Sequence, residues 1–219
     1  MALSSEEINR KLLHIVSGSL MPLGIFYIPK LTGWPLWSPT AILVALLVPS
    51  VAVEILRLRS ERFQKLFYSI WGGMLRKEES AKLTGWTWVF SGAVLCSILF
   101  YRQPHISFIV LCLFIFGDAV AALVGLSIGR TKIGEKSLEG STGCFVLCLI
   151  LSFGLFPFVP GVLDVWGGRM PVALGIIISL AITVQELFPI RITRKVVIND
   201  NLSVPVLTGL IILLFQKLL

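Results

Sequence analysis

Apolar residues in this chain gather into seven runs, at 12–28, 36–56, 83–101, 105–128, 141–159, 170–188 and 203–216, with polar residues collected in the intervals between them. A helix needs about 20 predominantly apolar residues to cross the hydrocarbon of a bilayer, and there it satisfies its own backbone hydrogen bonds. The pattern predicts an all-α, polytopic bundle of about seven transmembrane spans, with 1–219 forming a single membrane-embedded domain. The interval between the second and third runs is more than a connector. There Phe63, Leu66, Phe67, Ile70 and Trp71 recur at helical spacing against Arg59, Arg62 and Lys65. That spacing predicts an amphipathic helix lying on anionic lipid, which anchors the chain or guides a lipid substrate.

Composition narrows the class. Hydrophobic residues make up 56% and charged residues 14% of 219, with a mean hydropathy of +0.90. Soluble domains carry about 25% charged residues, so an integral, multi-pass membrane protein is predicted. The first run follows Arg10 and Lys11 as a signal peptide would. It contains Pro22, lacks an Ala-x-Ala cleavage site and is followed by six more runs, so it is expected to stay in the mature chain. Cys96, Cys112, Cys144 and Cys148 all lie in apolar runs and read as small packing residues, with no disulfide framework or zinc site.

The net charge of +7 would suggest nucleic acid in a soluble protein, but here its distribution is the signal, and no nucleic-acid partner is expected. With alternating spans, 15 of the 19 Lys and Arg residues fall on one side: two before the first span, seven after the second, three after the fourth and three after the sixth. Lys30, Arg102, Arg169 and Lys217 fall on the other side. The positive-inside rule then puts the N-terminus in the cytoplasm. Tyr27, Trp34, Trp37, Tyr101 and Trp166 fit an aromatic belt at the opposite interface.

Candidate chemistry begins in the fourth run, where Asp118 sits in the second half. A carboxylate at that depth costs about 2.5–3.5 kcal/mol on insertion scales, so it must face the protein interior or a wet cavity and have a partner. Around it Gly117, Ala121, Gly125 and Gly129 recur every fourth residue, a spacing that lets another helix or a ligand approach the backbone closely. The loop that follows offers Arg130, Lys132, Lys136 and several glycine amides, groups that can cradle phosphates. Under the alternating topology His14, Glu54, Glu139, Glu186 and Asp200 fall on the same cytoplasmic half, and that convergence points to one shared site. Plainer readings stand beside it: His14 as an interfacial histidine, Glu54 as the partner of Arg57 or Arg59, Thr84 and Thr87 as packing hydroxyls, Asp200 or Asn201 as a helix N-cap.

At these residues the chain resembles the CTP-dependent lipid kinases, a family that includes dolichol kinases, phytol and other polyprenol kinases, and a diacylglycerol kinase. The resemblance rests on Gly117-Asp118, Ala122, Gly125, Gly129, Lys132 and the run Lys136-Ser137-Leu138-Glu139-Gly140-Ser141. It extends to Arg10-Lys11 with His14 and Gly18 near one end, and to Glu186, Pro189, Asp200-Asn201 and Pro205 near the other. It implies transfer of the γ-phosphoryl group of CTP to the hydroxyl of a membrane lipid alcohol, giving CDP and a lipid phosphate. Such chemistry uses metal ions to bridge phosphate oxygens and cations to take up charge. Asp118 and Asp200 are the candidate ligands for Mg²⁺, a hard cation that prefers oxygen. Lys132 and Lys136, with Arg130, Gly125, Gly129, Gly140, Ser137 and Asn201, are candidates to hold the nucleoside triphosphate, and Glu139 to hold a cation or a ribose hydroxyl. Asp118, Asp200, Glu186 and His14 remain alternatives for the base.

Phosphatidate cytidylyltransferases resemble the middle motif too, through an acid, glycines and Lys-x-x-Glu-Gly. Their Lys-Asp and His-Gly-Gly signature is missing, and Asp200-Asn201-Leu202-Ser203-Val204-Pro205 stands at the C-terminal end instead. A small transporter using Asp118 and Glu186 as ion or proton relays is the alternative of another class, and it leaves the basic loop at 130–143 without a task.

Overall fold

The structure, a computed structural model, describes residues 5–72, 77–134, 136–188, 190 and 198–218. Its helices are α1 (Ser5–Thr32), α2 (Ser38–Arg59), α3 (Glu61–Trp71), α4 (Gly85–Leu99), α5 (Pro104–Ser127), α6 (Leu138–Ile150), α7 (Val172–Leu187) and α8 (Asp200–Leu218). Seven of them coincide with the seven apolar runs, and α3 is the amphipathic helix expected between the second and third. The architecture is an all-α polytopic bundle. Among the described residues five helical stretches are long and apolar enough to cross a membrane, while α4 and α7 are apolar but shorter. Arg76, Pro189, Arg191, Arg194 and Lys195, which entered the charge count or the family resemblance, lie outside the described residues.

Helix α5 is the axis. It is apolar all round because it is surrounded, by α1, α4, α6, α7 and α8, and every residue at 105–115 is buried. The outer helices instead sort their faces. On α1, His14, Gly18, Met21 and Ile25 fall on one stripe and turn inward, while Leu12, Val16, Leu20 and Leu23 are exposed on another, where hydrocarbon would cover them. Cys96, Cys112, Cys144 and Cys148 are all buried and free, the packing role their setting predicts.

The helices alternate in direction, so the polar ends of the runs collect at one end of the bundle. There the start of α1 meets α5 through Lys11 and Asp118, and the end of α2 meets the start of α4 through Glu54 and Thr84. The start of α4 meets the start of α8 through Gly85 and Asn201. The far end is tied by Tyr27 to the Pro160 carbonyl and by Gln216 to His105, with Trp166 packed edge-on to His105. Two glycines permit the close crossings on which the site depends. A Cβ at Gly92 would lie 2.5 Å from the Asn201 carbonyl oxygen, so glycine lets α8 begin against α4. A Cβ at Gly140 would lie 2.5 Å from the Ala121 carbonyl oxygen and 3.2 Å from the Gly125 Cα, so glycine lets α6 cross α5.

Between α5 and α6 the basic loop folds into a small antiparallel hairpin, β1 (Lys132–Ile133) and β2 (Lys136–Ser137), with Lys132 opposite Ser137. The Thr131 amide donates to both Glu139 carboxylate oxygens at 3.0 and 3.2 Å, which closes the hairpin at its base. The Ser137 hydroxyl accepts from the Gly140 amide and caps α6.

Candidate functional site

The carboxylate of Asp118 has the partner its depth demands. Lys11 donates to Asp118 Oδ2 at 2.5 Å, and His14 Nε2 lies 3.8 Å from the same oxygen. Both reach it from α1, three residues apart at the head of that helix's inward stripe. The Lys11 and Asp118 side chains are only 5% and 17% exposed, so the pair is largely withdrawn from solvent and correspondingly strong.

A second cluster forms around the hairpin. Lys136 donates to Glu186 at the end of α7 and lies 3.8 Å from Asp200 Oδ2 at the start of α8. Burial alone would lower the pKa of this ammonium, but Glu186, then Asp200 and Asp118, outweigh it and hold Lys136 above its ordinary value. The second carboxylate oxygen of Glu186 is buried and accepts no hydrogen bond. Asn199, more than Asp200 or Asn201, fills the cap position of α8. Asn199 immediately precedes the helix, its Oδ1 shares the Asn201 amide with Asp200 Oδ1, each at 3.0 Å, and the Asn201 side chain instead donates to the Gly85 carbonyl.

A third cluster joins α2 to the start of α4. Glu54 pairs with Arg57, one of the two partners expected for it, at 2.6 Å, with both side chains almost wholly buried. Thr84, expected as a packing hydroxyl, donates to the other Glu54 oxygen at 2.7 Å. Arg57 also donates to the backbone carbonyls of Glu79 and Lys82, and the Gly85 amide donates to the Glu79 carboxylate. The guanidinium thereby fixes the 79–82 segment.

These clusters open onto one cavity of about 480 Å³. Asp118, Lys136, Asp200, Asn201, Lys11 and His14 line its polar end, with Arg10, Glu54, Glu79 and Thr84 beside them. Leu13, Val53, Phe67, Trp71 and Trp86 give it an apolar, aromatic side. The structure thus brings Asp118, His14, Lys136, Asp200 and Asn201 together, with Glu186 behind Lys136. It does not bring Gly125, Gly129, Arg130, Lys132, Ser137, Glu139 or Gly140 to the cavity wall. Arg130 and Lys132 are exposed, Ser137 and Glu139 hold the hairpin, and the glycines are occupied by packing of α6 and Ser137 on α5.

Sequence reasoning missed Lys11, Arg10 and Glu79 as site residues. For Lys11 a signal existed: with His14, Gly18 and Met21 it continues one helical stripe, and a lysine at the head of a buried stripe calls for an internal carboxylate. Oxygen donors of the type a hard cation prefers are present in Asp118, Asp200 and the unpartnered oxygen of Glu186. Among the described residues no three His, Cys, Asp or Glu side chains converge as a closed metal cage. Asp118 and Asp200, which both line the cavity, are a pair of the kind that holds Mg²⁺ together with substrate phosphates.

Known proteins with similar sequences were found. A probable chloroplastic phytol kinase 1 of Glycine max is 32% identical over 216 residues, covering 92% of this chain and 64% of the relative. A probable chloroplastic phytol kinase 2 of the same plant is 30% identical over 226 residues, covering 98% of this chain and 68% of the relative. The chloroplastic phytol kinase 1 of Arabidopsis thaliana is 29% identical over 214 residues, covering 93% and 64%. The chain thus spans slightly less than two thirds of the length of two of these relatives and slightly more of the third. No family model and no solved structure matches the chain.

Proposed function

This chain belongs to the phytol kinase family, and from that premise we propose that it transfers the terminal phosphoryl group of a nucleoside triphosphate, CTP by the resemblance, to the hydroxyl of a lipid alcohol such as phytol. The observation that carries this reading is a cavity lined both by paired lysines and carboxylates and by apolar and aromatic residues. One substrate is a polyanion and the other is hydrocarbon with a hydroxyl at its tip, and the cavity matches both. In the reaction the acceptor oxygen bonds to the γ-phosphorus while the bridge to the β-phosphate breaks, and the hydroxyl proton passes to a base.

Each residue takes a role from its place. Lys136 and Lys11, with Arg10, lie where phosphate oxygens would exchange for the carboxylates they now contact. Asp118 and Asp200 would hold Mg²⁺, which would take up phosphate charge. His14, 3.8 Å from Asp118 Oδ2, would orient the acceptor hydroxyl. Glu186 acts through Lys136, which it holds in position. The deciding experiment incubates purified protein with labelled CTP or ATP and a panel of lipid alcohols. Nucleoside diphosphate and a lipid phosphate are expected; pyrophosphate and a CDP-lipid would replace this reading by a cytidylyltransferase, and absence of nucleotide binding by a transporter.

Two further outcomes are expected. Lys136→Ala weakens nucleotide affinity roughly tenfold to a hundredfold, because a charge-assisted contact contributes about 1.5–3 kcal/mol. Equilibrium binding to the folded variant checks this, and unchanged affinity would make Lys136 a structural residue only. The charge asymmetry supports a site on the cytoplasmic side. A cysteine placed at the exposed Lys132 should therefore react with an impermeant reagent in inside-out vesicles but not in intact cells. Labelling from outside alone would reverse the topology.

A further inference from the structure

Besides Trp86 on α4, three helices line the less polar part of the cavity, and each includes a pair of lining residues at helical spacing. These are Leu13 and Ser17 on α1, Ser50 and Val53 on α2, and Phe67 and Trp71 on α3. Residues three or four apart share a helix face, so each helix turns one stripe toward the same space, and the three stripes form a trough running from the polar end. The neighbouring faces of the two long helices are bare apolar surface, with Leu12, Val16 and Leu20 exposed on α1 and Val48, Ile55 and Leu56 exposed on α2. In a bilayer those faces meet hydrocarbon.

Helix α3 roofs this trough and is held firmly. Arg57 donates to the Glu79 and Lys82 carbonyls and lies 5.6 Å from the centre of the Phe67 ring. Gln64 donates to the Ser80 carbonyl at 3.2 Å. No residue of α3 is fully buried: Phe67 is half-buried and Trp71, at the cavity, is 49% exposed, while Leu66 and Ile70 are exposed away from the cavity with Arg62 and Lys65 exposed beside them, as befits a helix in the headgroup layer. The trough therefore runs from a polar site under an interfacial helix toward the lipid-facing sides of α1 and α2.

We infer that the seam between α1 and α2, roofed by α3, is the acceptor-chain channel of the site, and that Phe67 and Trp71 grip a single hydrocarbon chain as it leaves for the bilayer. This rests on the lipid-kinase reading given above. It adds a specificity element to that reading, since one trough takes one chain. Chain length beyond the first units is read by Phe67 and Trp71 and not by the polar end.

The test compares phosphorylation of phytol and of geraniol, whose chain is half as long, by purified wild type and by Phe67→Ala, Trp71→Ala, Trp71→Phe and Ile70→Ala. Trp71→Ala and Phe67→Ala should raise KM for phytol roughly tenfold, the effect of losing a buried apolar contact, while KM for geraniol and for the nucleotide stays within about twofold. Trp71→Phe should recover most of the loss. Ile70→Ala, on the outer face, should behave as wild type. Equal losses for both alcohols, or a loss in Ile70→Ala matching that in Trp71→Ala, would reduce α3 to a membrane anchor and overturn the channel. A wild type that phosphorylates neither alcohol overturns the lipid-kinase reading, and the channel with it. Photolabelling of wild type with a diazirine-tailed isoprenoid alcohol gives a check that needs no variant. Adducts at Leu13, Ser17, Phe67 or Trp71 are expected, and adducts confined to other helices count against the channel.

Discussion

Asp118→Asn should lower turnover by orders of magnitude while the protein still extracts from the membrane as a folded, monodisperse species. Asparagine preserves the shape of the side chain and can still accept from Lys11, so packing of α1 on α5 is kept. The negative charge that would hold a cation against the phosphates is lost, and with it the means of positioning the transferred group. Single-turnover assays across a Mg²⁺ titration, with thermal melting in detergent as the folding control, measure this, and high Mg²⁺ should restore part of the rate. If Asp118 is merely a buried helix-helix contact, Asp118→Asn will turn over almost normally at ordinary Mg²⁺ concentration. Asp200 would then be the principal carboxylate.

Arg57→Ala is expected to be the most destabilising single substitution in the bundle. It removes the partner of Glu54 and the donor to two backbone carbonyls, and the glutamate stays buried. Breaking a pair of this kind costs about 3–5 kcal/mol, because an uncompensated charge remains out of water. The melting temperature in detergent should fall steeply, and the 79–82 segment should become open to proteolysis. Arg57→Lys should not rescue it, since one ammonium cannot serve the carboxylate and two carbonyls in the planar arrangement the guanidinium provides. The double change Glu54→Gln with Arg57→Met should recover much of the loss, having removed both charges at once. A single Arg57→Ala variant that melts with wild type would show the cluster to be dispensable.

The helices were legible because hydropathy is a local signal. Each run reports its own length and faces, and α3 announced itself through the alternation of Phe67 and Trp71 with Arg62 and Lys65. The need of Asp118 for a partner was legible too, since the cost of a buried charge follows from its depth alone. The identity of that partner was not. Lys11 stands 107 residues away, and no periodicity says which two helices will be neighbours. Which residues of the basic loop would reach the cavity was not legible, for a related reason. Glycines and lysines after an apolar run suit both a phosphate cradle and a tight hairpin, and the choice depends on the helix crossing that Gly140 permits and on Glu139 closing the turn. The same crossing accounts for the small residues of α5, whose spacing suited a ligand and a helix equally and which meet a helix. Thr84 looked like a packing hydroxyl because its acceptor, Glu54, lies on another helix.

The attachment of Lys136 to α7 and α8 bears on how the protein can be handled. A lysine whose pKa is higher in the folded state contributes stability that is complete below the ordinary lysine range and is lost only as pH rises through the raised value. The chain's isoelectric point is near 9.5, below that range. As buffer is made more alkaline, net charge therefore vanishes, and with it the repulsion that keeps detergent-solubilised particles apart, before the hairpin lets go of Glu186. Loss of solubility in light scattering is therefore expected at lower pH than loss of the folded state in thermal melting.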